Sequence, residues 1–197
     1  LIAIVDYGVG NLRSVERALI HVGAKPVITA DPEMLERAQG LVLPGVGAFA
    51  AAVRKLSEHG LGRRVADLAL RGKPVLGVCL GYQLLFDEST EGGRHEGLGL
   101  LPGRVVRVEG SAHIPVIGWS RLEQTAASSL WEGIEDHAYF YFVHSYAPES
   151  SESAIGCTAH SPAAAAALGN VMGTQFHPEK SGADGLRIYR NFVATCA

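Results

Sequence analysis

Cysteine is scarce in this chain: Cys79, Cys157 and Cys196 are three of 197 residues. They form neither an even set nor a CxxC pair, which argues against a disulfide framework and fits a reducing, cytoplasmic setting. Metal-ligand spacing is missing as well. The eight histidines are scattered without an HExxH or comparable pattern, so neither a metal nor a cofactor is expected. No apolar run is long enough to span a bilayer, and no charged-then-apolar leader precedes the first apolar stretch, so neither membrane insertion nor export is indicated. The chain opens at Leu1 without methionine, as it would after trimming of an initiator. An excess of charge is lacking too. Lys and Arg number 17 against 20 Asp and Glu, a net charge of −3, with no basic stripe to meet nucleic acid.

What the chain has is apolar mass: 47% hydrophobic against 19% charged residues, enough for a substantial core. Without a linker, repeat or low-complexity segment, residues 1–197 read as one domain. In the first half, apolar runs alternate with helical periodicity. LIAIVD, KPVIT, GLVLPG and PVLGVC read as strands. LRSVERALIHVG, closed by Gly23, DPEMLERA, with Asp31 as N-cap and Pro32 at the first position, Phe49–His59 and Leu61–Arg71 read as helices. Strands that are apolar throughout, alternating with helices, predict an α/β fold: an open, mostly parallel sheet covered by helices on both faces. After about Gly92 the pattern changes. RVVRVEG, PVIGWSRLE, HAYFYFVHSYAP, AIGCTAH, AAAAALG and NVMGTQFH read as strands, the last three antiparallel. The run Ala163–Ala167 is assigned to a strand against its high helix propensity. ADGLRIYRNFVATCA closes the chain as an amphipathic helix. Such sheets bind ligands beyond the carboxyl ends of their strands, where Asp6, Pro44–Gly47 and Cys79 fall.

Cys79 lies in KPVLGVCLGYQLL, where an apolar strand turns directly into a helix. GVCLG fits the Gly-x-nucleophile-x-Gly pattern of a nucleophile elbow, with Gly77 and Gly81 avoiding collisions with strand and helix. The free N–H groups and dipole of the helix starting at Leu80 favour the thiolate, and the Leu80 N–H faces the forming oxyanion. The plainer alternative is a buried structural cysteine, the reading kept for Cys157 and Cys196. A thiolate nucleophile needs a proton carrier. In QFHPEKSG, His177 ends an apolar strand, and Glu179 follows across Pro178, placed to orient the imidazole and stabilise its cation. Alone, His-Pro-Glu is more often a surface turn; beside an elbow cysteine it is specific.

GVCLGYQLL together with QFHPEKS resembles the class I (triad) glutamine amidotransferases over essentially the whole chain. DYGVGNLRSV, LPGVGAF, YFYFVHSY and HPEKSG narrow the likeness to the glutaminase subunits of imidazole glycerol phosphate synthase. Relatives serving chorismate-derived or carbamoyl phosphate pathways carry an SPGP-like loop in place of PGVG. The pyridoxal phosphate glutaminases lack the DYGVGNLRSV opening.

The resemblance implies that Cys79, His177 and Glu179 form a catalytic triad cleaving L-glutamine through a γ-glutamyl thioester. It also implies that the PGVG loop, with Gly45, Val46 and Gly47, supplies an oxyanion contact together with Leu80. Gln83, Glu91, Ser145 and Tyr146 would then bind glutamine, Glu91 through the substrate ammonium; Gly45 belongs with this set too. His144 is read as structural. Asp6, Asn11, Trp119 and Lys180 would meet a (β/α)₈ cyclase/synthase partner in a heterodimer. Asp6, Asn11 and Lys180 could equally be loop residues binding their own backbone, and PGVG an ordinary turn. The sequence departs from the family where PVIGWS replaces PHMGWN, with Val116 and Ser120 in the changed positions, and where Tyr82 replaces a methionine. Open alternatives are a glutaminase for another acceptor pathway, a non-catalytic assembly subunit on the same fold, and a general cysteine hydrolase.

Overall fold

The computed structural model describes residues 1–58, 60–110, 113–149 and 151–196. The first half runs β1 (Ile2–Val5), α1 (Leu12–His21), β2 (Pro26–Thr29), α2 (Pro32–Arg37), β3 (Gly40–Leu43), α3 (Phe49–Glu58), α4 (Leu61–Leu70), β4 (Val75–Val78) and α5 (Leu80–Leu84). Each element lies where the apolar periodicity placed it. The expected last residue of α3, His59, falls outside the described residues. Asp31 caps α2 by accepting the Glu33 N–H at 2.9 Å, and Gly23 follows α1 in a left-handed conformation.

The second half contains β5 (Phe86–Ser89), β6 (His95–Glu96), β7 (Leu101–Arg107), β8 (Val116–Arg121), β9 (Glu123–Gln124), β10 (Tyr139–His144), β11 (Tyr146–Pro148), β12 (Ala154–Thr158), β13 (Ser161–Leu168), β14 (Val171–Thr174) and α6 (Gly182–Thr195). Eight strands form one sheet in the order β2-β1-β3-β4-β14-β13-β12-β9. Strands β1 and β3 are buried along their whole length, with alternate residues entering two cores. Ala3, Val5, Leu41 and Leu43 face α2 to α5, while Ile2, Ile4 and Val42 face α1 and α6. A strand covered on both sides has no polar face, which is why its sequence does not alternate. Among the described residues, no helix is long and apolar enough to cross a membrane.

Two expectations for the second half are corrected. NVMG was expected in an antiparallel arrangement, yet β14 pairs antiparallel with β13 on one edge and parallel with β4 on the other, Gly173 opposite Gly77. HAYFYFVHSYAP is not one strand. It breaks at Ser145, and β10 pairs with β8 in a two-stranded ribbon while β11 joins β7, β5 and β6 in a second sheet.

The alanine run is a strand, as expected. Ala163 to Ala166 are fully buried, so their small side chains answer to packing rather than to helix propensity. Tyr82 accounts for part of this. Its ring lies on Gly173, where an added Cβ would stand 2.2 Å from Cδ2, and its hydroxyl donates to the Ala163 carbonyl at 3.0 Å. The phenol at this position is therefore a packing element of the sheet. Gly173→Ala should lower the unfolding free energy by about 2–3 kcal/mol through overpacking. Tyr82→Met should relieve that clash, so the double variant in urea unfolding should be more stable than the two single losses predict. Strictly additive losses would refute the proposed contact.

Candidate active site

Strand β4 delivers Cys79 to the carboxyl edge of the sheet in a conformation that L-residues avoid, φ 55° and ψ −112°. Such a backbone costs about 1–3 kcal/mol and persists only where its surroundings enforce it. Two glycines do so by allowing close approach. A Cβ on Gly81 would lie 1.8 Å from the Leu43 carbonyl oxygen, and one on Gly77 would lie 2.7 Å from the Tyr82 Cα. The helix behind the turn has only five residues. Of the two contributions expected at Cys79, the free N–H groups of its first turn therefore outweigh the dipole of so short a helix. The thiol is almost buried, and its sulfur lies 3.9 Å from both the Val143 carbonyl oxygen and Gln175 Nε2.

His177 arrives at the same edge because β14 runs parallel to β4. Its backbone N–H is held by the Tyr141 carbonyl at 2.9 Å, and its own carbonyl accepts from the Ser181 hydroxyl at 2.7 Å. A 3₁₀ turn over Pro178–Lys180 folds Glu179 back against the ring. The Nδ1···Oε1 distance is 2.8 Å, with the two side chains only 2% and 1% exposed. A carboxylate only accepts, so Nδ1 carries a proton and Nε2 is the free base of the neutral ring. Tyr189 donates to the other Glu179 oxygen at 3.4 Å.

Burial pushes the imidazole pKa down. Its interactions with Cys79 and then Glu179 outweigh that and raise it to about 9. Yet Nε2 is buried without a hydrogen bond of acceptable geometry. The Cys79–His177 pair is thus coupled electrostatically without a formed hydrogen bond at Nε2.

These groups open into a cavity of ≈ 220 Å³, small enough to suit a free amino acid. Its wall brings together Cys79, His177, Val46, Gly47 and Leu80 with Gln83, Glu91, Ser145 and Tyr146, residues far apart in sequence. Gly45 is the exception. It is buried beneath the wall, where a Cβ would meet the Tyr7 hydroxyl at 2.6 Å and the Gly81 nitrogen at 2.8 Å, so it shapes the loop without touching the cavity. Tyr7 holds that loop by donating to the Pro44 carbonyl at 2.7 Å.

Several wall residues already have internal partners. Glu91 accepts the Phe49 N–H at 3.0 Å, at the first residue of α3. The Tyr146 carbonyl accepts from Gln83 Nε2 at 2.8 Å and His144 Nδ1 at 3.1 Å, which uses both of its lone pairs. Any contact from Tyr146 to a ligand therefore falls to its N–H or its ring. His144 also receives the Ser161 hydroxyl on Nε2 at 3.2 Å, and burial drives its pKa to about 4. A roomier cleft of ≈ 390 Å³ between α3 and α4 contains no histidine or cysteine among its lining residues, so chemistry rather than volume selects the site.

None of Asp6, Asn11, Trp119 and Lys180 lines the cavity. Asp6 accepts the N–H of Gly8 at 3.0 Å within its own loop, and Asn11 precedes α1 without a side-chain cap. Trp119 and Lys180 do come together through Tyr141: the rings of Trp119 and Tyr141 are edge-on at 6.1 Å, and Lys180 Nζ is 5.8 Å from the Tyr141 centroid. On the same ribbon, Ile117, Trp119 and Tyr139 are 63%, 55% and 57% exposed. Val116 and Ser120 point the other way, toward the protein, so the two positions expected to differ from the family lie off this exposed face. The sequence reading missed Gln175, Val143, Tyr7 and Tyr189. A polar residue inside the apolar run VMGTQF was the available sign for Gln175.

Comparison with known proteins adds to this geometry. The family described as "Glutamine amidotransferase class-I" matches residues 3–196. Proteins named imidazole glycerol phosphate synthase subunit HisH are similar along almost their full length. That of Desulfitobacterium hafniense is 49% identical over 98% of this chain and 93% of its own. The Methanosarcina mazei protein is 46% identical over 99% and 98%, and the Methanothermobacter thermautotrophicus protein 48% identical over 98% of each. Among solved structures, one named as a glutamine amidotransferase superposes with a TM-score of 0.76 at 23% identity, covering 98% of each chain. The structure of PurLQS from Thermotoga maritima gives 0.75 at 20%, covering 98% of this chain and 97% of that one. These two likenesses concern the fold alone.

The two histidines titrate with opposite effects on stability. His177, raised to about 9, contributes stability that is complete below its unfolded value near 6.5 and is lost as pH rises through 9. His144, depressed to about 4, contributes stability present above 6.5 and lost as pH falls through 4. From His144 alone, acidification over that window should remove roughly 3 kcal/mol. In urea unfolding at several pH values, His144→Asn, which keeps an amide donor for Tyr146 but cannot titrate, should show a flatter acid limb than the wild type. Parallel acid limbs would contradict the assignment.

Proposed function

The chain belongs to the class-I glutamine amidotransferase family, and we infer that it works in histidine biosynthesis as the glutaminase subunit of an imidazole glycerol phosphate synthase. It hydrolyses the side-chain amide of L-glutamine to glutamate and ammonia. The observation that carries the chemistry is the buried His177–Glu179 pair opening onto the same small cavity as a conformationally strained cysteine. Near-full-length similarity to relatives sharing that one name supports the pathway.

In the proposed cycle, His177, raised to about 9, already holds the proton of the Cys79 thiol on Nε2, and Cys79 Sγ attacks the amide carbon of glutamine as the thiolate. Glu179, bonded at Nδ1, keeps the ring in the required tautomer and stabilises the imidazolium. The negative charge on the tetrahedral oxygen meets the Leu80 N–H and an N–H from the Val46–Gly47 segment. At Gly47, φ is 99° and an added Cβ would meet no atom within 4 Å, so this peptide has room to reorient. The C–N bond then breaks, His177 returns its proton to the departing nitrogen, and ammonia leaves a γ-glutamyl thioester. Water adds with His177 as base, the C–S bond breaks, and glutamate departs. Gln83, Ser145 and Tyr146 hold the amino-acid end, and Glu91 pairs with the substrate ammonium.

Ammonia is mostly protonated in neutral water and is then no longer nucleophilic, so it is best delivered through a shielded path. We place the acceptor reaction in a (β/α)₈ cyclase forming a heterodimer with this chain. The exposed apolar residues Ile117, Trp119 and Tyr139 support a docking face there, with Lys180 beside it and Asp6 and Asn11 assigned to its rim. The ribbon bearing this face also carries Val143 to the cavity wall, so docking and the site share one strand. An unpaired catalytic thiol suits the reducing cytoplasm.

Glutamate release should be slow for the isolated chain and rise steeply once the cyclase and its nucleotide are bound. Equal turnover without the partner would count against this coupling. Cys79→Ala should abolish glutamine-dependent synthesis in the complex while ammonia-dependent synthesis by the partner persists. Trp119→Ala should raise the dissociation constant for the cyclase at least about 10-fold, measured by calorimetry. An unchanged constant would move the docking face elsewhere.

A further inference from the structure

We propose that Gln175 is a positioning residue for the Cys79 sulfur, oriented through Gln83 so that its amide N–H groups, not its carbonyl oxygen, face the nucleophile. The inference rests on the glutaminase reading above and adds a residue to it. Gln175 directly follows β14 and is completely buried, its backbone N–H bound to the Ala164 carbonyl at 2.8 Å. A side-chain amide in such a place is costly unless both of its ends find partners. Its oxygen accepts from Gln83 Nε2 at 3.0 Å, and its nitrogen lies 3.9 Å from Cys79 Sγ.

An isolated amide could point either way, because its oxygen and nitrogen are nearly the same in shape. Here the order of donors leaves one arrangement. The Tyr146 carbonyl only accepts, so it must face the NH₂ end of Gln83, at 2.8 Å. The second hydrogen of that NH₂ then requires an oxygen, which Gln175 supplies. Its own NH₂ is left for the sulfur. A backbone carbonyl thus fixes one glutamine, and that glutamine fixes the next.

The chemical consequence follows from charge. An N–H at this distance is a weak partner for a neutral thiol, but its attraction strengthens when the sulfur becomes an anion. Low exposure enlarges the difference, since little water screens it. The reversed amide would turn a carbonyl lone pair on the thiolate and oppose its formation. Gln83 lies on the cavity wall while Gln175 lies behind it, so one hydrogen-bonded chain joins the wall to the reacting atom. Packing alone would not require this chain. An unbranched apolar side chain would fill the same space.

The test is the pH profile of Cys79 alkylation by iodoacetamide in the full chain, read at the Cys79 peptide by mass spectrometry. Gln175→Met keeps the length but has no donor; Gln175→Glu keeps the shape but presents oxygen. The midpoint should move upward by about one pH unit in Gln175→Met and further in Gln175→Glu. In the complex, kcat for glutamine should fall at least about 10-fold with KM changed less than about 3-fold. A profile superimposing on the wild type in either folded variant overturns the proposal, whatever happens to turnover. Should Gln175→Met fail to fold, the near-isosteric Gln175→Glu decides by itself. Alkylation needs no glutamine, so a wild-type chain that alkylates normally yet releases no glutamate would instead defeat the glutaminase reading.

Discussion

The parallel pairing of β4 with β14 is the constraint on which the site depends. Cys79 leaves β4 one residue past its end, with its N–H on the Thr174 carbonyl at 2.8 Å, and His177 leaves β14 three residues past its end. Because the strands are adjacent and point the same way, thiol and imidazole emerge at one edge of the sheet. Had β14 paired with β4 in the opposite sense, the same residues would stand at opposite ends. The hairpin through Gly169 and Asn170 is what reverses the chain before it reaches β4.

Strain and burial act together at that edge. The unfavourable backbone of Cys79 is enforced because Gly77 and Gly81 let the short α5 lie against β4 and the end of β3. The polar groups around it are buried, so each must be matched. Glu179 answers His177, Tyr146 answers both Gln83 and His144, and Gln83 answers Gln175. The buried nitrogen of His177 without a formed partner stands out in this matched network, at the place where a proton must move. Removing any one link leaves another buried group unpaired, which couples the wall residues to each other and to the nucleophile.

The exposed face follows a different logic. Strands β8 and β10 form a ribbon with one side on the core and the other in solvent, and its solvent side presents Ile117, Trp119 and Tyr139 with Arg121 beside them. Val116 and Ser120 lie on the inward side. Trp119 lies on the outward side, so packing and proposed docking could change independently along one strand.

The sequence by itself determined the α/β class, the first-half elements and the elbow, because each rests on local spacing: apolar strands covered on both faces, caps at helix ends, and glycines flanking Cys79. It also marked His177 and Glu179, which are neighbours in the chain. The tertiary structure alone decided the partners of the long-range groups. The parallel placement of β14, the break of a single apolar run at Ser145, and the burial of Gly45 under Tyr7 all depend on which distant segment lies alongside, and composition does not encode that choice. Gln175 shows the difference most clearly. In the chain it is one polar residue in an apolar strand, and its direction is set by a carbonyl that reaches it only through Gln83, because hydrogen bonds are directional and the fold brings those three groups within reach.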